Sequence, residues 1–244
     1  MPDAQGDVPV ALVTGAGSEI GAACLERLGS LGFLPVGAWR STRPATGAQV
    51  QLDVTDADAV ERRIAEVEDD FGPIEVVVAN AGVAHLDVAT RVSPERFRAV
   101  VETNLTGSFL VAQAVLKRMV RRRSGRVVFI GSVAGHWGVP GVTSYAASKA
   151  GLSGLARSLA REVGPRHITV NVVAPGMLDN AVQRIEQHRP TSGHDRSWMA
   201  ATPAGRPGTA GDVAAAVAYL ASPRAAFVTG VTLSVDGGFG MGSA

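Results

Sequence analysis

The stretch Val8-Pro9-Val10-Ala11-Leu12-Val13-Thr14-Gly15-Ala16-Gly17-Ser18-Glu19-Ile20-Gly21 decides the fold. Its apolar run has the length of a buried strand and ends in a glycine loop. Beyond the loop, Ile20, Ala23, Cys24, Arg27, Leu28 and Leu31 follow a mostly apolar three-or-four spacing that stops at Gly32, which predicts a helix closed by glycine. The alternation then repeats. Strands are predicted at 34–39, 50–52, 75–79, 126–130, 168–173 and 231–235, and helices at 56–71, 94–122, 143–163 and 211–221. Strands alternating with helices of this length form right-handed βαβ units. The expected architecture is α/β, a Rossmann-type doubly wound parallel sheet of about seven strands with helices on both faces.

With 244 residues, 46% of them apolar, and no linker rich in Pro, Gly or Ser, one domain spanning 1–244 is expected. A formal net charge of +1 argues against a nucleic-acid partner. No uninterrupted apolar run reaches the roughly 18 residues of a membrane span, and Met1 to Asp7 lack the basic and apolar regions of a signal peptide, so a cytoplasmic protein with no membrane partner is expected. The single cysteine, Cys24, and five histidines without ligand spacing point to neither disulfides nor a metal site. One irregular stretch stands out. Residues 177–209 carry Pro190, Gly193, Pro203, Gly205, Pro207 and Gly208 and read as a substrate-covering flap with a short helix at 181–187.

A strand, a glycine turn and a helix at the start of a doubly wound sheet make a dinucleotide site, because helix N-terminal amides and a loop without Cβ atoms can receive a pyrophosphate. Thr14, Gly15, Gly17, Ser18, Glu19, Ile20 and Gly21 are its candidate residues. The second strand ends at Arg40, with Arg43 close behind, where an acid would hold the ribose 2′-hydroxyl of NAD. Arginine suits a 2′-phosphate, so NADPH/NADP is expected over NAD. Further along, Tyr145 and Lys149 stand four apart on one helical face, thirteen residues beyond Ser132. A nearby ammonium favours phenolate and is expected to bring the tyrosine pKa down. Asn104 falls within the apolar stripe of helix 94–122, and a buried amide needs partners.

The loop Thr14-Gly15-Ala16-Gly17-Ser18-Glu19-Ile20-Gly21 resembles the Thr-Gly-x-x-x-Gly-x-Gly loop of the short-chain dehydrogenase/reductase family, with Glu19 in place of the middle glycine. Asp53-Val54, Asn80-Ala81-Gly82, Asn104-Leu105-Thr106-Gly107, Ser132 with Tyr145-Ala146-Ala147-Ser148-Lys149, Pro175-Gly176 and Val235-Asp236-Gly237-Gly238 extend the likeness over residues 8–242. It is closest to the β-ketoacyl-(acyl-carrier-protein) reductases. The resemblance implies a catalytic tetrad of Asn104, Ser132, Tyr145 and Lys149, with Asn104 holding a water linked to the lysine. It implies cofactor contacts from Asp53, Val54, Asn80, Ala81, Gly82, Tyr145, Lys149, Pro175 and Gly176, and from Asn180 where the family pattern has threonine. His136 and Trp137 are expected to line the substrate pocket.

Arg123 and Arg166, part of a basic crowd with Lys117, Arg118, Arg121, Arg122 and Arg126, match arginines that contact an acidic carrier protein in relatives. Helices 94–122 and 143–163 pack between subunits in the family, and Leu152, Leu155, Ala156, Leu159 and Ala160 offer more apolar positions than one buried stripe needs, so a homotetramer is expected. The implied activity is NADPH-dependent reduction of a ketone, a β-ketoacyl thioester, free or carrier-bound. Two alternatives stay open: a reductase of a free ketone or secondary alcohol such as a polyketide, steroid or sugar derivative, and a catalytically silent NADP-binding protein. Glu19 bears on the last. Its carboxylate either turns to solvent at the helix start or stands against the cofactor phosphates.

Overall fold

The computed structural model describes residues 8–179 and 201–241. Its strands are β1 (Val10–Thr14), β2 (Leu34–Trp39), β3 (Ala48–Gln51), β4 (Ile74–Ala79), β5 (Gly125–Ile130), β6 (Ile168–Pro175) and β7 (Thr232–Val235). Its α-helices are α1 (Glu19–Gly29), α2 (Ala57–Phe71), α3 (Pro94–Val101), α4 (Gly107–Arg122), α5 (Ala134–Trp137), α6 (Thr143–Val163) and α7 (Ala210–Ala221). The strands form one sheet in the order β3-β2-β1-β4-β5-β6-β7, every neighbouring pair parallel. This is the doubly wound Rossmann arrangement that the alternation of patterns predicts.

Period-two alternation along the strands sends side chains to two cores. Leu12, Val77, Val127, Val170 and Val172 pack with Val60 and Ile64 of α2, Val111 and Val115 of α4, and Leu152 and Ala156 of α6. Val13, Val76, Val78, Val128 and Val173 pack with Cys24, Leu25 and Leu28 of α1 and Val213 and Val217 of α7. Helix starts are capped by side chains that the sequence supplies. Ser18 accepts from the Gly21 amide at 3.1 Å, Asp56 from the Ala59 amide at 2.9 Å, and Thr209 and Asp212 close a reciprocal capping box on α7. Between β1 and β4 the strand order reverses, so the loops at their C-terminal ends diverge and leave a crevice.

The predicted single helix 94–122 is α3 and α4 joined by a π-helical turn, Glu102–Thr106. Such a turn inserts one residue into the ladder, and periodicity alone does not reveal it. By length and composition this rod would pass for a membrane span, which a count of uninterrupted apolar residues misses. Half of its apolar window is buried in the molecule, as in the core helix of a globular domain. The expected helix 181–187 and most of the expected flap lie outside the described residues, but both stems are described. Leu178 and Gly208 form a parallel bridge, with the Asp179 amide donating to Gly208 O and the Gly208 amide to Met177 O, each at 3.0 Å.

Candidate active site

A cleft of about 240 Å³ opens at the C-terminal ends of β1 to β4. Gly15, Gly17, Ser18, Arg40, Asp53, Val54, Ala81 and Gly82 line it as expected. Trp39, Ser41, Thr42, Leu52, Val83 and Thr103 line it as well. Trp39, Ser41 and Leu52 end a strand or follow one within two residues and could have been found by extending each strand tip, whereas Thr42 and Val83 lie three and four residues beyond their strands. Thr103 comes from the π turn, for which the sequence carries no signal. The wall is bare main chain. A Cβ on Gly17 would stand 2.1 Å from Thr42 O, and one on Gly21 would stand 2.4 Å from Gly15 O. Side chains at either position would collide with neighbouring main chain, so the glycines let the loop close tightly on itself at the start of α1, where free helix amides suit a pyrophosphate. The residues present therefore fit a dinucleotide.

Thr14 and Asn80 work from behind this wall. Thr14 Oγ1 accepts from the amides of Asn80 and Ala81, both at 3.0 Å. Asn80 Nδ2 donates to Thr14 O at 2.9 Å, Gly15 O at 3.0 Å and Ser18 Oγ at 3.1 Å. Their polar groups hold the β1 and β4 loops together rather than facing the cleft. Glu19 is the first residue of α1, exposed and absent from the cleft lining, and Ile20 packs against the α1 core. Of the two readings of Glu19, the structure carries the solvent-facing one, with its charge at the positive end of the helix. Arg40 lies at the mouth with a guanidinium nitrogen 3.6 Å from Asp53 Oδ2. Hydrogen bonds from Thr55, the backbone amide above all, and the nearby Arg40 hold the Asp53 carboxyl below its ordinary range. Arg43 is turned away and donates to Gln49 Oε1.

Beyond the cleft, β5 delivers Ser132 and α6 delivers Tyr145 and Lys149. The Ser132 loop is tied to β6 by Gly131 N to Val173 O at 2.7 Å and Val133 N to Pro175 O at 3.0 Å, which also places Pro175 and Gly176 beside it. Gly135 lets α5 lie against α6, since a Cβ there would be 2.7 Å from the Ala150 amide. Lys149 is buried, donates to Ile130 O at 2.6 Å, and has its Nζ 5.6 Å from the centre of the Tyr145 ring. Burial lowers its pKa from 10.5 to about 8. Tyr145 departs from expectation. Burial raises its pKa above the ordinary value of 10.0, opposed in part by a hydrogen bond with Ser132, so the expected lowering by Lys149 does not dominate.

Asn104 is fully buried on the π turn and its side chain is spent on the protein. Its Oδ1 accepts from the Val83 amide at 2.8 Å, and its Nδ2 donates to Val83 O at 2.9 Å and Ser148 Oγ at 3.0 Å. A Cβ on Gly82 would meet Asn104 Oδ1 at 3.2 Å and Lys149 Nζ at 3.5 Å, so the Asn80-Ala81-Gly82 loop, the π turn and α6 converge on one point. Asn180 lies outside the described residues.

A family model described as Enoyl-(Acyl carrier protein) reductase matches residues 37–240. The 3-oxoacyl-[acyl-carrier-protein] reductase MabA of Mycobacterium tuberculosis is 43% identical over 232 residues, covering 95% of this chain and 92% of the relative. The chain belongs to the short-chain dehydrogenase/reductase family. Among other similar proteins, the 3-oxoacyl-[acyl-carrier-protein] reductase FabG of Escherichia coli is 40% identical over 241 residues, covering 95% of this chain and 97% of the relative. A crystal structure of a substituted actinorhodin polyketide ketoreductase with NADPH superposes with a TM-score of 0.87 at 34% identity, covering 96% of this chain and 97% of that one.

Two expectations for this short-chain dehydrogenase/reductase change at its far end. Much of the basic crowd is neutralised. Lys117 and Arg118 pair with Glu61, and Arg118 and Arg122 with Glu68, all across the α2–α4 interface. Arg123, at a left-handed φ of 60°, donates to Pro165 O at 3.1 Å and so sits beside Arg166. The apolar surplus on α6 is also smaller than the sequence implies. Leu152, Ala156, Leu159 and Ala160 are buried within the subunit and Leu155 is partly buried, which leaves Ala147, Ala150, Gly154 and Ser158 exposed. His136 and Trp137 stand exposed on α5, just past Ser132.

Proposed function

We propose that this chain is an NADPH-dependent ketoreductase whose substrate is a 3-oxoacyl thioester. The observation that carries this reading is the half-buried Ser132 and Tyr145 with the buried Lys149, beside a glycine-walled cleft that ends at Arg40. The 3-oxoacyl reductase relatives, at 40% and 43% identity over nearly the whole chain, support the substrate class more closely than the description of the family model does. The polyketide ketoreductase neighbour favours a second reading, a polyketide ketone in the same site.

NADPH, when bound, supplies a hydride to the carbonyl carbon. Its diphosphate would rest on the Gly15–Gly21 loop, its adenine beside Asp53 and Val54, and its 2′-phosphate against Arg40. Gly82, Pro175 and Gly176 would border the nicotinamide, and Asn180 its carboxamide. Ser132 hydrogen-bonds the substrate carbonyl oxygen, and Tyr145 donates its proton there as negative charge develops. The raised pKa of Tyr145 suits this direction, because the phenol stays protonated at neutral pH until the oxygen demands the proton. Lys149, as a cation, stabilises the phenolate left behind and holds the nicotinamide ribose, and the Asn104 turn supports the lysine from below.

The same reading places the protein in the cytoplasm as a homotetramer built on α3, α4 and α6, in one domain with 177–209 covering the substrate. His136 and Trp137 border the substrate. Arg123 and Arg166 receive an acidic carrier. Helix α6 has 21 residues, about 30 Å at 1.5 Å per residue, and separates these arginines from Tyr145, so the carrier serves the site of an antiparallel neighbour rather than its own. The test is NADPH oxidation with acetoacetyl and longer 3-oxoacyl thioesters beside free diketones. Thioester turnover well above that of free ketones supports the reading. Turnover of free ketones alone supports the second, and no NADPH binding at all returns the silent protein.

A further inference from the structure

The C-terminal turn that follows β7, residues 236–241, touches three segments: the end of β6, the stretch 202–204, and α5, which starts two residues past Ser132. Its shape comes from Asp236, whose Oδ1 accepts from the Gly238 amide at 3.0 Å and whose Oδ2 accepts from the Gly240 amide at 2.8 Å. Behind the turn is Gly176 at the end of β6, where an added Cβ would lie 2.8 Å from Asp236 Cα. On one flank Gly237 presses on Thr202 and Ala204, with a Cβ 2.9 Å from each. On the other flank is the indole of Trp137. A Cβ built on Gly240 would stand 2.6 Å from Trp137 Nε1, 3.2 Å from its Cε2, and 2.8 Å from Asp236 Oδ2. The indole therefore lies on bare main chain.

Gly240 is not among the residues with positive φ, so backbone freedom does not explain a glycine there; space for the indole does. Trp137 is 58% exposed and rises from α5, five residues past Ser132, on the same C-terminal edge of the sheet as the reacting groups. The geometry points to Gly240 as a specificity-determining position. By lacking a side chain it lets Trp137 lie down on the C-terminal turn, which leaves the space beside Ser132 to the part of an acyl chain beyond the reacting ketone. This rests on the ketoreductase reading. Because the ring is exposed, a methyl group at position 240 displaces the indole from the turn, toward that space, instead of unfolding the turn.

The test compares Gly240→Ala, Trp137→Phe and the double variant, using NADPH with acetoacetyl thioester and with a long-chain 3-oxoacyl thioester. For Gly240→Ala we expect KM for the long-chain substrate to rise about tenfold, while acetoacetyl turnover stays within about twofold. Affinity for NADPH is unchanged, and tryptophan emission shifts. In the Trp137→Phe background the same methyl adds no further loss of long-chain preference and no emission shift. Additive effects, or a Gly240→Ala variant indistinguishable from the parent on both thioesters, overturn the proposal. So does an Asp236→Asn variant that reproduces the Gly240→Ala profile while Trp137→Phe fails to rescue it, since the turn's shape and not the indole would then be responsible. If the parent reduces neither thioester, the ketoreductase reading fails. Calorimetry of a long-chain acyl thioester on the same three variants then decides: weakening by Gly240→Ala that disappears with Trp137→Phe supports the contact, and equal binding overturns it.

Discussion

In the cleft at the ends of β1 to β4, the ligand-facing wall is main chain, and its side chains stand behind it or at the rim. Thr14 and Asn80 brace the loop from the rear, and Arg40 and Asp53 pair at the edge. At the start of α6 the material is reversed. There a half-buried tyrosine and a buried lysine form the working surface, and both have pKa values shifted by the water they have lost. The contrast separates two needs. Holding a diphosphate asks for donors and empty space, which glycine amides provide at little electrostatic cost. Moving a proton asks for charge that water does not screen, which only burial gives.

The largest effect that tests this contrast is on the buried side. Tyr145→Phe removes the proton donor and should cut turnover about a thousandfold while NADPH affinity by calorimetry stays within about twofold. Residual turnover near the parent value would mean that the phenol is not the acid. On the main-chain side, Gly21→Ala places a methyl against Gly15 O and Ala16. We expect NADPH to bind about a hundredfold more weakly and the domain to lose about 1–3 kcal/mol, read by calorimetry and denaturant titration. A variant that binds normally would show that the loop can give way.

Lys149 joins the two regions and is read by pH. Its folded pKa of about 8 lies below the ordinary 10.5, so between those values the unfolded chain keeps a proton that the folded chain has released. Stability therefore rises with pH across that window and is flat with respect to this group below about 8. Lys149→Met should abolish the rise, checked by urea titrations at neutral and alkaline pH. The cation that supports the tyrosine is lost over the same range, so kcat/KM of the parent should fall as pH passes about 8.

Smaller effects belong to the rim. Arg40→Ala should weaken NADPH about tenfold and leave NADH unchanged, since a charge-assisted pair to the 2′-phosphate is lost and nothing else. Equal losses for both cofactors would place Arg40 on a shared part of the ligand. The smallest is Glu19→Gln, expected to change NADPH affinity by less than about twofold, because the carboxylate is exposed at the start of α1. A large gain would mean that it turns inward when cofactor binds.

Most of the sheet was legible because buried parallel strands read as short apolar runs and glycine marks their loops. Helix α6 and β2 match the predicted bounds. The sites with fixed spacing, Ser132 to Tyr145 to Lys149 and the Gly15–Gly21 loop, were legible for the same reason: local geometry fixes them. What could not be read depends on contacts between distant segments. The π turn seats Asn104 against partners far along the chain, Val83, with which it exchanges two hydrogen bonds, and Ser148, which accepts one. The sign of the Tyr145 shift depends on how much chain covers the ring, and the fate of the basic crowd depends on Glu61 and Glu68 lying across from it. The surplus on α6 failed similarly, since one helix stripe does not say how wide the neighbouring core is.

The parallel bridge between Leu178 and Gly208 fastens the two stems of the intervening chain to each other, and the Arg206–Asp212 ion pair pins the second stem to α7. The two described ends of that stretch are thus joined to each other and to the domain. Doubling the length of a chain segment between fixed ends costs only about 0.6 kcal/mol. A clasp at the stems therefore tolerates insertion better than an open pair of ends would: a graft that lengthens the chain between Leu178 and Gly208 should leave the sheet and the Tyr145–Lys149 helix standing, read by denaturant titration.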